Sequence, residues 1–120
     1  MAVRAVRGAV QVDADERGLV LKATMELVTA LLEANGLAAD DVISMIFTVT
    51  PDLTSEFPAL AARELGLTDT PLLCCSEIPV PGALPRVVRI LAHVDTLRAK
   101  REIQHVYLGG AVALRRDIAQ

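Results

Sequence analysis

The sequence predicts an α/β sandwich, in which a mixed five-stranded sheet carries a long helix across one face, together with a short second helix. Val-rich segments alternate with helical patterns in the order β-α-β-α-β-β-β. The hydrophobic fraction of 52% argues against a disordered chain. The length of 120 residues suits one domain, which we expect to span residues 1–120.

The first half of the chain predicts two strands joined by the long helix. Residues 2–12 are rich in Val and predict a strand. Asp13 and Glu16 have the spacing of a capping box, so a helix should follow and end at the αL signal Asn35-Gly36. The buried stripe of this helix would consist of Val20, Thr24, Leu27, Val28 and Leu31. Residues 43–50 predict a buried strand.

The second half predicts a short helix and three more strands. Pro58 suits the first turn of the helix, and Gly66 follows its end. Residues 71–76 predict a strand. Residues 86–94 fit either a helix or a strand, and their β-branched content favours a strand. A last strand is expected from about residue 105 to residue 115.

Charge and composition exclude several classes of protein. The net charge is -3, and only 2% of residues are aromatic, so the basic face and stacking platforms of a nucleic-acid-binding protein are missing. No apolar run is long enough to predict a membrane span. We expect a cytoplasmic protein, because no secretory signal precedes the first strand and the adjacent Cys74-Cys75 suit reduced thiols. The high apolar content of so small a domain predicts an oligomer.

Arg89 is the most informative residue, because Val87-Val88-Arg89-Ile90-Leu91-Ala92 contains no other polar side chain. A guanidinium keeps its proton, and burying an unpaired charge is costly. Arg4 and Arg7 stand among apolar residues of the first strand in a similar way. Two such elements suggest a dry cationic pocket for an anion. Arginines that cover apolar surface or pair with a structural carboxylate are an equally good explanation.

Other candidate residues also allow two interpretations each. Glu77 follows a strand at its C-terminal end, where ligand groups gather in α/β folds, but it could be a solvated loop acid. Tyr107 could donate its hydroxyl to a ligand or be a core aromatic. Cys74 and Cys75 fit small buried hydrophobic positions, and Arg63 fits a solvated helix face.

The sequence contains no phosphate-binding loop, no Ser-His-Asp arrangement, no metal motif and no carboxylate pair with a spacing typical of acid–base catalysis. The candidate site residues comprise several cations and one Glu, a set that poorly suits hydrolysis. It suits holding a dianion and stabilising negative charge as that charge develops.

Short stretches that occur in order along residues 3–117 match a known pattern. They are residues 3–9, 50–53, 57–59, 62–65, 74–77, 81–82, 89, 105–108 and 114–115. This ordered set resembles the monofunctional chorismate mutases of the Bacillus type. The resemblance implies a homotrimeric pseudo α/β barrel with active sites between subunits. It also implies conversion of chorismate to prephenate on the route to Phe and Tyr, without a metal or cofactor.

The resemblance also assigns roles by position. Arg89, Arg7 and Glu77 would be catalytic. Further residues would bind the substrate, partly from a neighbouring subunit: Cys74, Tyr107, Phe57, Ala59, Arg63, Leu73, Leu114 and Arg115. Leu60 departs from the family pattern, which often has Lys there. A bulge at Gly109-Gly110 would bring Tyr107 and Leu114 to the same face.

Two other functions remain open at this point. One is a trimeric enzyme similar to the imine deaminases, which would also hold a carboxylate with an Arg between subunits. The other is a non-catalytic trimeric module that binds an aromatic carboxylate as a regulator.

Overall fold

A computed structural model describes residues 1–114 as a mixed five-stranded sheet with one long helix on one of its faces. The strands are β1 Ala2–Gln11, β2 Val42–Val49, β3 Leu72–Ser76, β4 Val87–Thr96 and β5 Val106–Leu108. The helices are α1 Arg17–Ala34 and α2 Ala59–Glu64, and 3-10 turns span Ala39–Asp41, Lys100–Glu102 and Gly109–Leu114. The predicted α/β sandwich with a mixed sheet is confirmed, and the ambiguous segment 86–94 is a strand from residue 87 onward.

Strand β4 lies at the centre of the sheet, whose order is β3-β2-β4-β1-β5. It pairs antiparallel with both β1 and β2. The two edge strands are parallel to their neighbours, β3 to β2 and β5 to β1. The longest ladder, between β1 and β4, therefore places Arg89 in the middle of the sheet.

Helix α1 covers one face of the sheet and forms the main core with it. The stripe predicted for this helix is fully buried, and it packs with the inward side chains of β1, β2 and β4. A Cβ atom at Gly8 would lie 3.1 Å from Leu27 Cδ1 and 3.4 Å from Leu31 Cδ1, so the helix crosses β1 at close range. Each fully buried Leu contributes about 1.5–3 kcal/mol.

The opposite face of the sheet is here called the open face. Within residues 1–114, no α-helix covers it, and only a 3-10 turn packs against it. The apolar side chains of the open face include Val3, which is 57% exposed, and Leu73, which is 58% exposed. The turn Gly109–Leu114 covers one end, where Ala111 joins a small second cluster with open-face side chains. Most of the open face is therefore left uncovered by residues 1–114 of the same chain.

The start of α1 differs from the prediction. The N-cap is Glu16, no side chain caps the helix, and the predicted capping box of Asp13 and Glu16 is wrong. The acidic segment is used elsewhere: Asp15 accepts hydrogen bonds from Thr54 N, Thr54 Oγ1 and Ser55 N at 3.1, 3.0 and 3.1 Å. These bonds tie the helix entrance to the loop before α2.

The last strand is also shorter than predicted. Strand β5 ends at Leu108, and Gly109 adopts a φ of 58°, a left-handed conformation that turns the chain out of the sheet. The expected strand is therefore wrong from residue 109, and a 3-10 turn replaces the expected bulge. Arg115 lies outside the described residues. Within residues 1–114, neither helix is long and apolar enough to cross a membrane.

Candidate active site

One row of side chains crosses the open face from edge to edge. The register pairs Cys75 with Thr48, Thr48 with Arg89, Arg89 with Ala9, and Ala9 with Tyr107. Residues paired directly across neighbouring strands point to the same face. Ala9 thus stands between the strand positions of the guanidinium on β4 and the phenol on β5, and its small side chain is buried in the second cluster.

Glu77 binds Arg89 and is itself held at the end of β3. Its backbone N–H donates to Val49 O at 2.8 Å, which fixes the chain just past the strand. Arg89 Nε donates to the two carboxylate oxygens at 3.2 and 3.1 Å, and Thr48 Oγ1 donates to Oε2 at 2.6 Å. The Arg89 side chain is 30% exposed and that of Glu77 is 17% exposed. The pair is therefore partly dry, and its charge-assisted bonds hold the guanidinium in one orientation.

Thr48 was missed by the sequence reasoning. It is the polar residue next to the fully buried Phe47 in an apolar strand, so alternation places it on the open face. That alternation was a usable signal. Its bond to Glu77 makes it part of the support for Arg89.

Arg7 and Tyr107 lie on the same face as Arg89. Arg7 is exposed on β1, two residues before Ala9, whereas Tyr107 is half-buried in the second cluster. Leu114 packs against the same cluster, so the 3-10 turn brings it near Tyr107 without a bulge. Arg4, which was grouped with Arg7, points to the helix side and donates from Nε to Arg98 O at 3.3 Å. It therefore does not belong to a shared cationic pocket.

His105 joins Arg7 to the segment before β5. Its Nδ1 accepts a hydrogen bond from the backbone N–H of Arg7 at 3.0 Å. Partial burial, followed by the charge of Arg7, lowers the pKa of His105 below its usual value of 6.5. The imidazole is therefore kept neutral at physiological pH, as an acceptor at Nδ1 requires.

A second group of predicted residues lies elsewhere, at the edge of the sheet. A groove of about 440 Å³ between α2 and β3 is lined by Phe57, Ala59, Arg63, Leu73 and Cys74, with Leu60 among its other lining residues. Its volume falls in the range of about 300–1,000 Å³ that is typical of small-molecule sites. The Arg89 group does not line this groove. One chain therefore presents the predicted residues in two separate groups, here called half-sites.

The two cysteines belong to different surfaces. Cys74 pairs with Phe47 and packs against the main core from the helix side, whereas Cys75 is exposed on the open face. Cys74 lines the groove and can meet a ligand there. Among residues 1–114, no group of three or more His, Cys, Asp and Glu side chains could hold a metal ion.

The motif Thr50-Pro51-Asp52-Leu53 fixes the start of β4. Both carboxylate oxygens of Asp52 accept the backbone N–H of Arg86, at 3.2 and 3.0 Å. Arg86 has a φ of 54°, which residues other than Gly rarely adopt. Its Nε donates to Val12 O at 2.9 Å. Thr50 Oγ1 donates to Asp52 and accepts from the N–H of Val87. These bonds lock β4 three residues before Arg89.

Comparisons with known proteins give one consistent family. A family model described as Chorismate mutase type I matches residues 3–118. The chain is 49% identical over 117 residues to Chorismate mutase AroH of Thermus thermophilus, covering 97% of this chain and 96% of that protein. It is 38% identical over 120 residues to Chorismate mutase AroH of Bacillus subtilis strain 168, covering 99% and 94%.

A solved structure agrees with these relatives. A chorismate mutase from Clostridium thermocellum superposes with a TM-score of 0.90 at 47% sequence identity. The match covers 92% of this chain and 98% of that one. The fold similarity thus extends over nearly the whole of both chains.

Proposed function

The chain belongs to the chorismate mutase type I family, and on this premise we propose how its residues convert chorismate to prephenate. The enzyme is an isomerase of aromatic amino acid biosynthesis. The observation that supports the mechanism best is the half-buried guanidinium of Arg89, held by Glu77 on a face that also carries Arg7 and Tyr107.

The reaction is an intramolecular [3,3] rearrangement, which needs neither a nucleophile nor a proton transfer. The substrate must adopt a compact chair, and its breaking C–O bond leaves negative charge on the ether oxygen in the transition state. An acceleration of roughly 10⁶-fold requires about 8 kcal/mol of transition-state stabilisation. Orientation of the chair and a fixed cation near the ether oxygen are the two sources available to this chain.

Arg89 supplies the cation. Its Nε is occupied by Glu77, so its terminal nitrogens can donate to the ether oxygen. Charge on that oxygen is larger in the transition state than in chorismate, so the interaction strengthens as the bond breaks. Because Glu77 and Thr48 already fix the guanidinium, little reorganisation is needed during the reaction.

The remaining side chains orient the substrate. Arg7 and Tyr107 bind carboxylates, and Arg7 also contributes charge near the ether oxygen. Glu77 keeps free acceptor capacity beyond its bonds to Arg89 and Thr48, so it receives the ring hydroxyl together with the Cys74 thiol. The walls of the site consist of Phe57, Ala59, Arg63, Leu73 and Leu114. Arg115, which the family resemblance also assigns to substrate binding, lies outside the described residues.

We place this site between subunits of a homotrimer. Three open faces would form the inside of a pseudo α/β barrel and bury apolar side chains such as Val3 and Leu73. The two half-sites support this arrangement, because the groove of one chain would complete the Arg89 group of its neighbour. We further propose that the trimer works in the cytoplasm, where the thiols of Cys74 and Cys75 stay reduced.

The decisive test is turnover. The purified protein is incubated with chorismate, the ultraviolet absorbance of chorismate is followed, and prephenate is identified as the product. The Arg89→Gln variant, prepared in the same way from a host without its own mutase, controls for contaminating activity. No loss of chorismate above the spontaneous rate excludes the enzyme, and binding without conversion would point to the regulatory module.

A further inference from the structure

The imidazole of His105 replaces a backbone acceptor at the end of a very short ladder. Strand β5 has three residues, which pair in parallel with β1 as Gly8 with Val106, Ala9 with Tyr107, and Val10 with Leu108. The N–H of Arg7 lies one residue before this ladder begins. His105 Nδ1 accepts that N–H at 3.0 Å, so a side chain continues the pairing where the strand has ended.

This bond connects two substrate-binding positions. Arg7 lies on β1 and Tyr107 lies on β5, and the ladder between these two strands consists of three residue pairs. One additional bond is a large fraction of such a short interface. It is made by the residue two positions before Tyr107 and received from Arg7 itself, so it fixes the spacing between these two residues on the open face.

We propose that His105 is a positioning residue for the rearrangement, which acts by holding Arg7 and Tyr107 at a fixed spacing. This role rests on the proposed function, since the spacing matters only if both residues bind chorismate. The imidazole itself transfers no proton, because the rearrangement moves none. Its requirement is an unprotonated Nδ1, with the proton of the neutral ring on Nε2.

Two substitutions test whether His105 acts through its hydrogen bond or only through the size of its side chain. In His105→Asn, the Oδ1 atom occupies the position of Nδ1 relative to Cγ and can accept the Arg7 N–H. In His105→Gln, the amide reaches instead toward the position of Nε2 and leaves that N–H without its partner. The side chain of His105 is exposed, so neither change opens a core cavity.

We expect His105→Gln to raise the KM for chorismate about tenfold, because a carboxylate contact is misplaced in substrate and transition state alike. We expect kcat to change less than about threefold, because Arg89, which supplies the main charge at the ether oxygen, stays in place. His105→Asn should restore KM to within about twofold of the starting protein, since one hydrogen bond is recovered. Equal KM values for the two variants would overturn the proposal, and so would a loss confined to kcat.

A spectroscopic measurement tests the bond without turnover and without any variant at this position. Long-range ¹H–¹⁵N correlation spectra of the imidazoles should show His105 as the Nε2–H tautomer with an unprotonated Nδ1. The chain has two His residues, and a His93→Gln variant assigns the signals. A proton on Nδ1 at neutral pH overturns the proposal. If the protein does not convert chorismate, the catalytic role fails with the proposed function, while the tautomer still decides the hydrogen bond.

Discussion

Arg89 and Glu77 are joined through one guanidinium nitrogen, with Nε 3.2 Å from one carboxylate oxygen and 3.1 Å from the other. A bidentate pair would occupy a terminal nitrogen as well. Here the carboxylate holds the guanidinium at Nε, and neither terminal nitrogen donates a hydrogen bond to Glu77. The ion pair is therefore a support for a cation that has further donors to offer, and this explains why an arginine stands in so apolar a strand.

Replacing the charge should affect turnover more than binding. We expect Arg89→Gln to lower kcat by about 10³-fold, because the donor that meets the developing negative charge is lost, while KM rises far less. Steady-state kinetics with chorismate measure both parameters. Arg101→Gln, at an exposed arginine in the turn Lys100–Glu102, is the matched control and should leave both unchanged. A kcat within about tenfold of the starting value would refute the electrostatic mechanism.

Thr48 should contribute to the activity through its hydroxyl group. Thr48→Val removes the donor to Glu77 Oε2 and keeps the shape, so Glu77 and with it Arg89 become less well fixed. We expect kcat/KM to fall about tenfold or more, because a hydrogen bond to a charged group contributes about 1.5–3 kcal/mol. Thr48→Ser keeps the hydroxyl and should retain most of the activity. If the Ser and Val variants are equally impaired, the methyl group and not the hydroxyl is what the site needs.

Local patterns in the sequence predicted most of the fold and singled out the central residues of the candidate site. The hydrophobic stripe of α1 and the β-branched run around Arg89 are local patterns, and the structure confirms the helix and the strand that they predicted. Glu77 was identified as a candidate site residue because it follows a strand. These features depend on neighbouring residues, which a single sequence displays directly.

The features that the sequence did not predict depend on long-range contacts, on one backbone conformation and on the order of the strands. Asp13 and Glu16 were assigned to a helix cap, but the carboxylate that makes the contacts of this segment is that of Asp15, which meets residues about forty positions along the chain, and no local pattern reveals this. The strand predicted beyond Leu108 failed because Gly109 adopts a positive φ that alternation does not anticipate. The separation into two half-sites follows from the sheet order, which became known only with the structure.

Acid should weaken the loop that leads to α2. Hydrogen bonding from Ser55 and Thr54 lowers the pKa of Asp15 below 3.8, and the Phe57 N–H, followed by Arg17, lowers the pKa of Glu56 below 4.5. The unfolded chain then takes up these protons before the folded chain does, so this stabilisation is complete above about pH 5 and is lost as the pH falls through the folded values.

Thermal unfolding between about pH 5 and pH 2.5 measures this loss. Asp15→Asn should reduce the dependence of the melting temperature on pH, because its share of the linkage is removed. Asp13→Asn is the control, since Asp13 is exposed and makes no hydrogen bond within the described residues. A pH dependence that is identical in both variants would show that the Asp15 contacts do not stabilise the fold.

The arrangement of half-sites predicts complementation between two inactive variants. If Arg89 comes from one subunit and Arg63 from its neighbour, trimers reassembled from equal amounts of Arg89→Gln and Arg63→Glu chains contain some intact sites. A site is intact when the first variant supplies the groove and the second supplies the Arg89 group. Random assembly makes this combination in about one quarter of sites, so activity should reach about a quarter of the starting value.

The control for that experiment uses two residues known to touch within one chain. Arg89 and Glu77 form their ion pair inside a single subunit, so no mixture of Arg89→Gln and Glu77→Gln chains can contain a site with both residues intact. This second mixture should stay as inactive as its components. Recovery in the first mixture alone locates Arg63 on the neighbouring subunit, whereas no recovery in either mixture would mean that Arg63 and Arg89 serve the same site from one chain.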